Sequence, residues 1–332
     1  MKICGKLLLI LPAVIMLASG CGSEKKGGRP VLRVGFFPNI THVQALLGKN
    51  SKFSAVTGCD IEWKKFNAGS TEIEAMMAGE LDMGYIGPGP AINGYIKTRG
   101  EIQIIAGACG GGAVLVSRRG LKIKSASELK NKRIAIPQFG NTQHIVLKQM
   151  LDSEGLKETT KGGTVEIVQA ENPDVKTLFD RGEIDAAFVP EPWASRLILE
   201  AGANIVLDYN QVWRGGKYPV AVLIARKTFI QDHPEIVQKF LRAHIELSEA
   251  AVGNRADVKK TINDEIRKLT GKKLSEEVMN SSFSRLFINY EIDKQSVLDM
   301  SVLMSKLGII REKPDMKGIF DLKYMARQGR TE

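Results

Sequence analysis

Short amphipathic runs alternate with short apolar ones along most of this chain. Ile73, Met76 and Met77, and again Val175, Leu178 and Phe179, recur at the spacing of one helix face. Each run is followed by a glycine suited to a helix C-cap and then by an apolar stretch that ends in a proline-rich turn. The first copy reads Gly79-Glu80-Leu81-Asp82-Met83-Gly84-Tyr85-Ile86-Gly87-Pro88-Gly89-Pro90. The second reads Gly182-Glu183-Ile184-Asp185-Ala186-Ala187-Phe188-Val189-Pro190-Glu191-Pro192-Trp193. Both apolar stretches read as buried strands whose carboxyl ends open into loops. The doubled pattern predicts two similar α/β lobes.

A weaker echo lies upstream of each copy. Val31-Leu32-Arg33-Val34-Gly35 runs into Phe36-Phe37-Pro38-Asn39-Ile40-Thr41-His42, and Arg133-Ile134-Ala135-Ile136 into Pro137-Gln138-Phe139-Gly140-Asn141-Thr142-Gln143. In open α/β sheets ligands sit outside the carboxyl ends of the strands, where loops and helix N-termini converge, so two facing lobes make a binding cleft. The first unit is read as strand from Val31, helix from Thr41, strand Ile61 to Phe66, helix from Ser70, strand Met83 to Ile86, helix Ala91 to Thr98 and strand Ile102 to Ala106. A second alternating unit runs from Ser127 to about Leu207. The apolar runs Ala113 to Ser117 and Val220 to Ala225 are read as two crossings that form a hinge. Beyond them the chain turns helical, with Asp232 as the expected N-cap and Pro234 in the first turn. Residues 31–116 and 220–332 are assigned to the first lobe and 117–219 to the second.

The chain has 332 residues, 43% of them hydrophobic and 25% charged, the composition of a globular protein long enough for two domains. At the N-terminus, Lys2 and Lys6 precede the apolar run Leu7 to Leu17, and Leu17-Ala18-Ser19-Gly20-Cys21 forms a small-residue cleavage site. Residues 1–20 are therefore read as a signal segment and 21–30 as a flexible tether. No later apolar run approaches the ~18 residues that span a bilayer. With Cys4 and Cys21 set aside, Cys59 and Cys109 are too few for a thiolate zinc site and read as buried thiols. The net charge of +10 stays basic when Lys2 and Lys6 are removed, but its clusters are scattered as solvated faces. An exported chain without a nucleic-acid-binding motif points away from nucleic acid. The nucleophile elbow, the zinc-binding His-Glu-x-x-His helix and the phosphate loop are all missing, and His42, His144 and Glu191 lack metal-ligand spacing. No catalytic residue, metal or cofactor is assigned.

Pro38-Asn39-Ile40-Thr41-His42, Gly79-Glu80-Leu81-Asp82 to Pro90, the Arg133 to Gln143 segment and Val189-Pro190-Glu191-Pro192-Trp193 resemble the nitrate/sulfonate/taurine group of periplasmic-type solute-binding proteins of ABC importers. The resemblance runs from about Val31 to the C-terminal helices. The Cys21 segment in turn resembles a bacterial lipoprotein signal, with Ala18 where that pattern usually has Leu. Together they imply a periplasmic-binding-protein-like fold whose lobes close on a ligand, a membrane permease as partner, and an extracytoplasmic monomer anchored by a lipid on Cys21.

Thr41, Ser70 or Thr71, and Asn141 or Thr142 stand where helices are predicted to begin, so their side chains and nearby free N–H groups can donate to an oxyanion. A sulfonate offers three acceptor oxygens to such donors. Asn39 lies in the first resembling segment, Gln138 supplies an amide before the second lobe's helix, and Gly87 and Gly112 permit close backbone approach. His42 and Gln143 occupy matched positions and are expected to face each other across the cleft. Trp193 is expected to cover a tail, Glu191 to meet an ammonium such as that of taurine, and Arg214 to supply a bidentate cation. The expected ligand is a small oxyanion, an aliphatic sulfonate first. A pyrimidine or other heterocyclic vitamin precursor is the alternative, and an exported enzyme the rival class. An aromatic lining would favour the heterocycle, and a lining of N–H and hydroxyl groups the oxyanion.

Overall fold

The computed structural model describes residues 28–253, 256–311 and 314–325. The signal segment, Cys21 and the tether as far as Gly27 lie outside the described residues. The first strands are β1 (Val31–Phe36), β2 (Asp60–Lys65), β3 (Met83–Ile86) and β4 (Ile102–Gly111). Next come β5 (Ala113–Ser117), β6 (Arg133–Ile136), β7 (Glu166–Gln169), β8 (Ala186–Pro190) and β9 (Asn204–Leu207), then β10 (Pro219–Arg226) and β11 (Leu286–Ile288). They form two sheets, ordered β11-β4-β10-β3-β1-β2 and β7-β6-β8-β5-β9. In each, a unit's first strand lies between its second and third in parallel: β1 between β2 and β3, β6 between β7 and β8. An antiparallel strand from beyond a crossing then pairs with the third, β10 with β3 and β5 with β8. The doubled sequence is a doubled sheet topology, and the fold is the two-lobed α/β one expected.

The shared Gly-Glu-aliphatic-Asp holds each sheet together rather than serving the cleft. Asp82 Oδ2 accepts the Arg33 N–H at 3.0 Å, and Asp185 Oδ2 accepts the Arg133 N–H at 3.0 Å. The main chain completes each clip, since Asp82 N–H donates to Arg33 O at 2.9 Å and Asp185 N–H to Arg133 O at 2.8 Å. Gly79 and Gly182 close the preceding helices at φ of 76° and 68°, left-handed positions that suit glycine. Asp82 also takes Arg226 Nη2 at 2.6 Å. Burial pushes its carboxyl up, but the hydrogen bonds from Arg33 and Arg226 outweigh burial and hold it below the ordinary value.

Helices fill the connections. α1 (Val43–Gly48) and α2 (Lys52–Thr57) join β1 to β2, α3 (Gly69–Met77) joins β2 to β3, and α4 (Pro88–Lys97) joins β3 to β4. In the second lobe α5 (Thr142–Ser153), α6 (Val175–Asp180) and α7 (Trp193–Glu200) follow β6, β7 and β8. The C-terminal run holds α8 (Lys227–Asp232), α9 (Pro234–Val252), α10 (Ala256–Thr270), α11 (Glu276–Phe283) and α12 (Lys294–Lys306). α9 starts at Pro234, with His233 rather than Asp232 as its N-cap. Its apolar face packs on α1 and α2, stacking Phe240 on Phe53 at 4.2 Å. α11 packs on α7 of the other lobe, so the C-terminal helices touch both.

The apolar runs read as crossings are themselves strands. All of β5 is buried in the second sheet and nearly all of β10 in the first, and a strand covered on both faces shows no polar alternation. The chain changes sheet at Gly112, ahead of the Val116 boundary, and returns in the segment between β9 and β10. Cys59 and Cys109 are separate buried thiols. Among the described residues no helix is long and apolar enough to cross a membrane.

Candidate functional site

The carboxyl ends of the parallel strands of both lobes meet in one place. Beyond β1 lie Phe37, Asn39, Thr41 and His42; beyond β2, Asn67 and Gly69; beyond β3, Gly87 and Pro90. Beyond β6 lie Pro137, Asn141, Thr142 and Gln143, beyond β7, Asn172, and at the end of β8, Pro190. With Val220 they enclose a cavity of about 30 Å³ between the lobes. That is room for one or two waters, so a ligand the size of a sulfonate requires the lobes to part slightly from the position described.

The cavity is lined by neutral polar groups, and several are unspent. His42 is buried and stacks on Phe37 at 4.6 Å. Its Nδ1 accepts the Phe37 N–H at 3.1 Å, which leaves the ring proton on Nε2 as a donor. Burial pushes its pKa down to about 3, so it is neutral at physiological pH. Asn141 caps α5, its Oδ1 accepting the His144 N–H at 2.9 Å, and its amide N–H₂ is left over. Thr41, Gln143 and Asn172 are buried and spend no side-chain hydrogen bond on the described protein. No charged side chain lines the cavity among the described residues. The N-termini of α3, α4 and α5 border it, and their N–H groups and dipoles favour negative charge.

The lobes approach closely where α4 meets α5. Gly89 N–H donates to Thr142 Oγ1 at 3.2 Å. A Cβ on Gly87 would stand 2.4 Å from Thr142 Oγ1, and one on Gly89 2.5 Å from Ile145 Cδ1. Glycine at these two positions is what lets the helix ends meet.

Of the residues read from sequence, Asn39, Thr41, His42, Gly87, Asn141, Thr142 and Gln143 line the cavity. The others stand elsewhere. Ser70 and Gln138 clasp the rim, Ser70 N–H donating to Gln138 Oε1 at 3.0 Å. Thr71 is turned to its own turn, its hydroxyl on Ala68 O at 2.9 Å. Gly112 lies at the crossing, where a Cβ would meet Leu286 at 2.4 Å.

Glu191 meets no ammonium site. It is fully buried behind the cavity, accepting from Ser195 N–H at 3.0 Å, Ser195 Oγ at 2.9 Å and Ser282 Oγ at 3.1 Å, with Arg285 Nη1 3.7 Å away. Burial pushes its carboxyl up against the pull of these donors. Trp193 turns from the cavity and donates its indole N–H to Asn39 Oδ1 at 2.7 Å, tying the lobes together. Arg214 is exposed and paired with Asp299. Asn67 and Asn172 were missed. The signal that finds them is the echo itself, since each follows the second strand of its unit.

Comparison with known proteins follows the same lines. The NMT1-like family pattern matches residues 25–263. The chain belongs to this family. Within reach of it, the chain is 30% identical over 207 residues to the taurine-binding periplasmic protein of Escherichia coli K12, a match spanning 62% of each chain. It is 24% identical over 328 residues to a putative aliphatic sulfonates-binding protein of Bacillus subtilis 168, covering 90% of this chain and 96% of that one. In fold, this NMT1-like chain is similar to the alkanesulfonate-binding protein SsuA from Xanthomonas axonopodis pv. citri bound to MOPS. There the TM-score is 0.74 at 17% identity, with 89% of this chain and all (100%) of the other covered.

Proposed function

We propose that this chain is the extracytoplasmic solute-binding component of an ABC importer and binds a small oxyanion, an aliphatic sulfonate, by lobe closure. One observation carries the reading: unspent neutral polar groups from strand ends of both lobes converge on a cavity that three helix N-termini border. Such an array supplies donors to an anion without a fixed countercharge. The names of the relatives, which bind taurine or sulfonates, support it. A lining dominated by amide, hydroxyl and N–H groups, with Phe37 and His42 as its rings, weighs against a heterocycle. Among the described residues no carboxylate lines the cavity, which weighs against taurine as the preferred sulfonate. A permease partner, a monomeric state and lipid attachment at Cys21 complete the proposal and rest on the sequence resemblance.

Calorimetric titration against methanesulfonate, longer alkanesulfonates, taurine, nitrate and a pyrimidine vitamin precursor tests the ligand. Tight binding of a sulfonate is expected; binding of the heterocycle alone would overturn the anion reading and leave the importer role standing. Thr142→Ala should weaken sulfonate binding by about 1 to 3 kcal/mol through loss of a hydroxyl in a closed site. Unchanged affinity would remove Thr142 from the site.

A further inference from the structure

On the α3 face of the first sheet lies an acid that the cavity lining does not include. Glu72 stands in the first turn of α3 and is fully buried, and neither carboxyl oxygen has a hydrogen-bond partner among the described residues. The sheet makes room for it. Gly35 of β1 and Gly84 of β3 are register partners, and a Cβ on them would stand 2.3 Å and 2.1 Å from Glu72 Oε1. The carboxyl therefore rests on the backbone of two glycines, and burial pushes its pKa well above the ordinary carboxylate value.

The ionisable groups around it are committed to one another. Two residues before Gly35 on the same face of β1, Arg33 pairs with Asp82 at 2.8 Å, and Asp82 with Arg226 of β10 at 2.6 Å. From β2, Lys64 lies 3.8 Å from Glu62 and 3.4 Å from Glu80, which follows α3. The Tyr85 hydroxyl of β3 meets His244 Nδ1 at 2.9 Å, Glu74 of α3 is exposed, and α4 carries Tyr95 and Lys97 at its far end. A buried acid with neither a cation nor a donor beside it is held with its proton on.

That proton bears on the cavity. Gly35 and Gly84 precede the lining residues Phe37 and Gly87 by two and three positions, about 7 to 10 Å of strand rise, and Gly69 of the same helix also lines it. A negative charge at that depth repels an anion in the cavity and offsets the dipole of α3. Resting on the sulfonate reading, we propose that Glu72 stays a neutral acid in the folded protein and that anion binding is linked to its proton. The site then holds a sulfonate while Glu72 is neutral and releases it as Glu72 ionises.

The protonation is read without ligand. Unfolded Glu72 gives up its proton above its ordinary value of 4.5 while the folded acid keeps it. Stability therefore falls with rising pH, and the folding constant of the native chain relative to Glu72→Gln should drop about tenfold per unit from about pH 5 to 7. A ratio that does not drop would mean that Glu72 is ionised in the fold, and overturns the proposal. The linkage is read by calorimetric titration of methanesulfonate from about pH 8 to 10, the range in which buried carboxyls ionise. The native chain should lose about tenfold in affinity toward the alkaline end and take up a proton on binding, seen by comparing buffers of different ionisation heat. Glu72→Gln should match the native Kd at about pH 7 within about twofold and show neither effect, a difference that a packing role alone cannot produce. Should the variant fail to fold, the native titration decides: a level Kd or no proton uptake overturns the linkage and leaves the sulfonate reading intact. A variant weakened by one constant factor at every pH overturns it too. If the native chain binds no sulfonate at any pH, both readings fall together.

Discussion

The cleft is fastened at both ends, but by different materials. At the rim, exposed Asn67 meets Glu171 at 2.6 Å, Ser70 N–H meets Gln138 at 3.0 Å, and Ser70 Oγ meets Phe139 O at 3.4 Å. Water competes for each of these bonds, so each contributes little. At the hinge, Arg285 spans Asp208 Oδ1 at 2.9 Å and Glu191 Oε1 at 3.7 Å, while Gly112 N–H donates to Arg285 O and Glu191 N–H to Gly112 O. This cluster is buried or nearly so, and removing one partner strands the other. The rim is thus held by exposed or half-buried bonds and the crossings by a buried ionic cluster, the contrast that the proposed lobe closure requires of a gate and a pivot.

The comparison breaks first at the hinge. Arg285→Met should lower stability by about 3 kcal/mol, because Glu191 loses its cation in a buried setting. Thermal or denaturant unfolding measures it, and a change below about 0.5 kcal/mol would mean the cluster is ornamental. Glu191→Gln keeps an oxygen acceptor for Ser195 and Ser282 and should cost distinctly less. Next in size is Gly87→Ala, whose Cβ would stand 2.4 Å from Thr142 Oγ1. Blocking the approach of α4 to α5 should cost about 1 to 3 kcal/mol of closure, read in titration as a loss of affinity of up to roughly a hundredfold. Its unfolding transition should stay close to that of the native chain, since the clash arises between lobes rather than within one. Native affinity in this variant would show that the helix ends need not meet.

Much of this architecture is legible in sequence because it is local. The repeated Gly-Glu-aliphatic-Asp marks the turn and strand that recur in both lobes, and Asn141 and Thr142 announce themselves as a helix start, whereas Thr41 falls inside a 3-10 turn (Ile40–His42) ahead of α1. What the Asp does is not local: Asp82 and Asp185 act on Arg33 and Arg133, each about fifty positions earlier, through sheet register. Glu191 and Trp193 look like ligand groups because they follow a strand end, yet the turn they occupy rotates both behind the cavity toward Ser282 and Asn39. Arg214 finds Asp299 only through tertiary packing. Asn172 is hidden for the opposite reason, since an Asn before a Pro reads as a turn residue until its buried oxygen is seen to lack a partner.

The rim predicts a smaller effect of the same sign. Glu171→Ala removes the Asn67 contact at an exposed site and should leave stability within about 0.5 kcal/mol. Removing this one bond across the rim weakens the closed arrangement of the lobes slightly. Affinity for an alkanesulfonate should then fall by about two- to threefold, the share of closure that one exposed bond supplies. Small-angle scattering of the ligand-free variant should show a larger radius of gyration than the native chain. A tenfold loss of affinity instead would place Glu171 on the ligand.

The smallest expected effect is on pH dependence, and it separates binding from folding. His42 has its pKa pushed down to about 3 by burial, and His244 to about 4 by burial against a hydrogen bond with Gly107 O. Both are neutral when folded across the range in which an unfolded histidine, titrating near 6.5, takes up a proton. A depressed folded pKa gives full stability above about pH 6.5 and loses it progressively as pH falls toward 4 and 3. Stability should therefore decline between pH 6.5 and 4. Affinity for a sulfonate should not follow, because the Nε2–H of neutral His42 faces the ligand throughout and a sulfonate stays ionised. Titration from pH 8 to 5 should change Kd by less than about threefold. A Kd that instead tightens with a midpoint near pH 6 would mean that His42 binds as a cation, and the neutral-donor account of the cavity would fail with it.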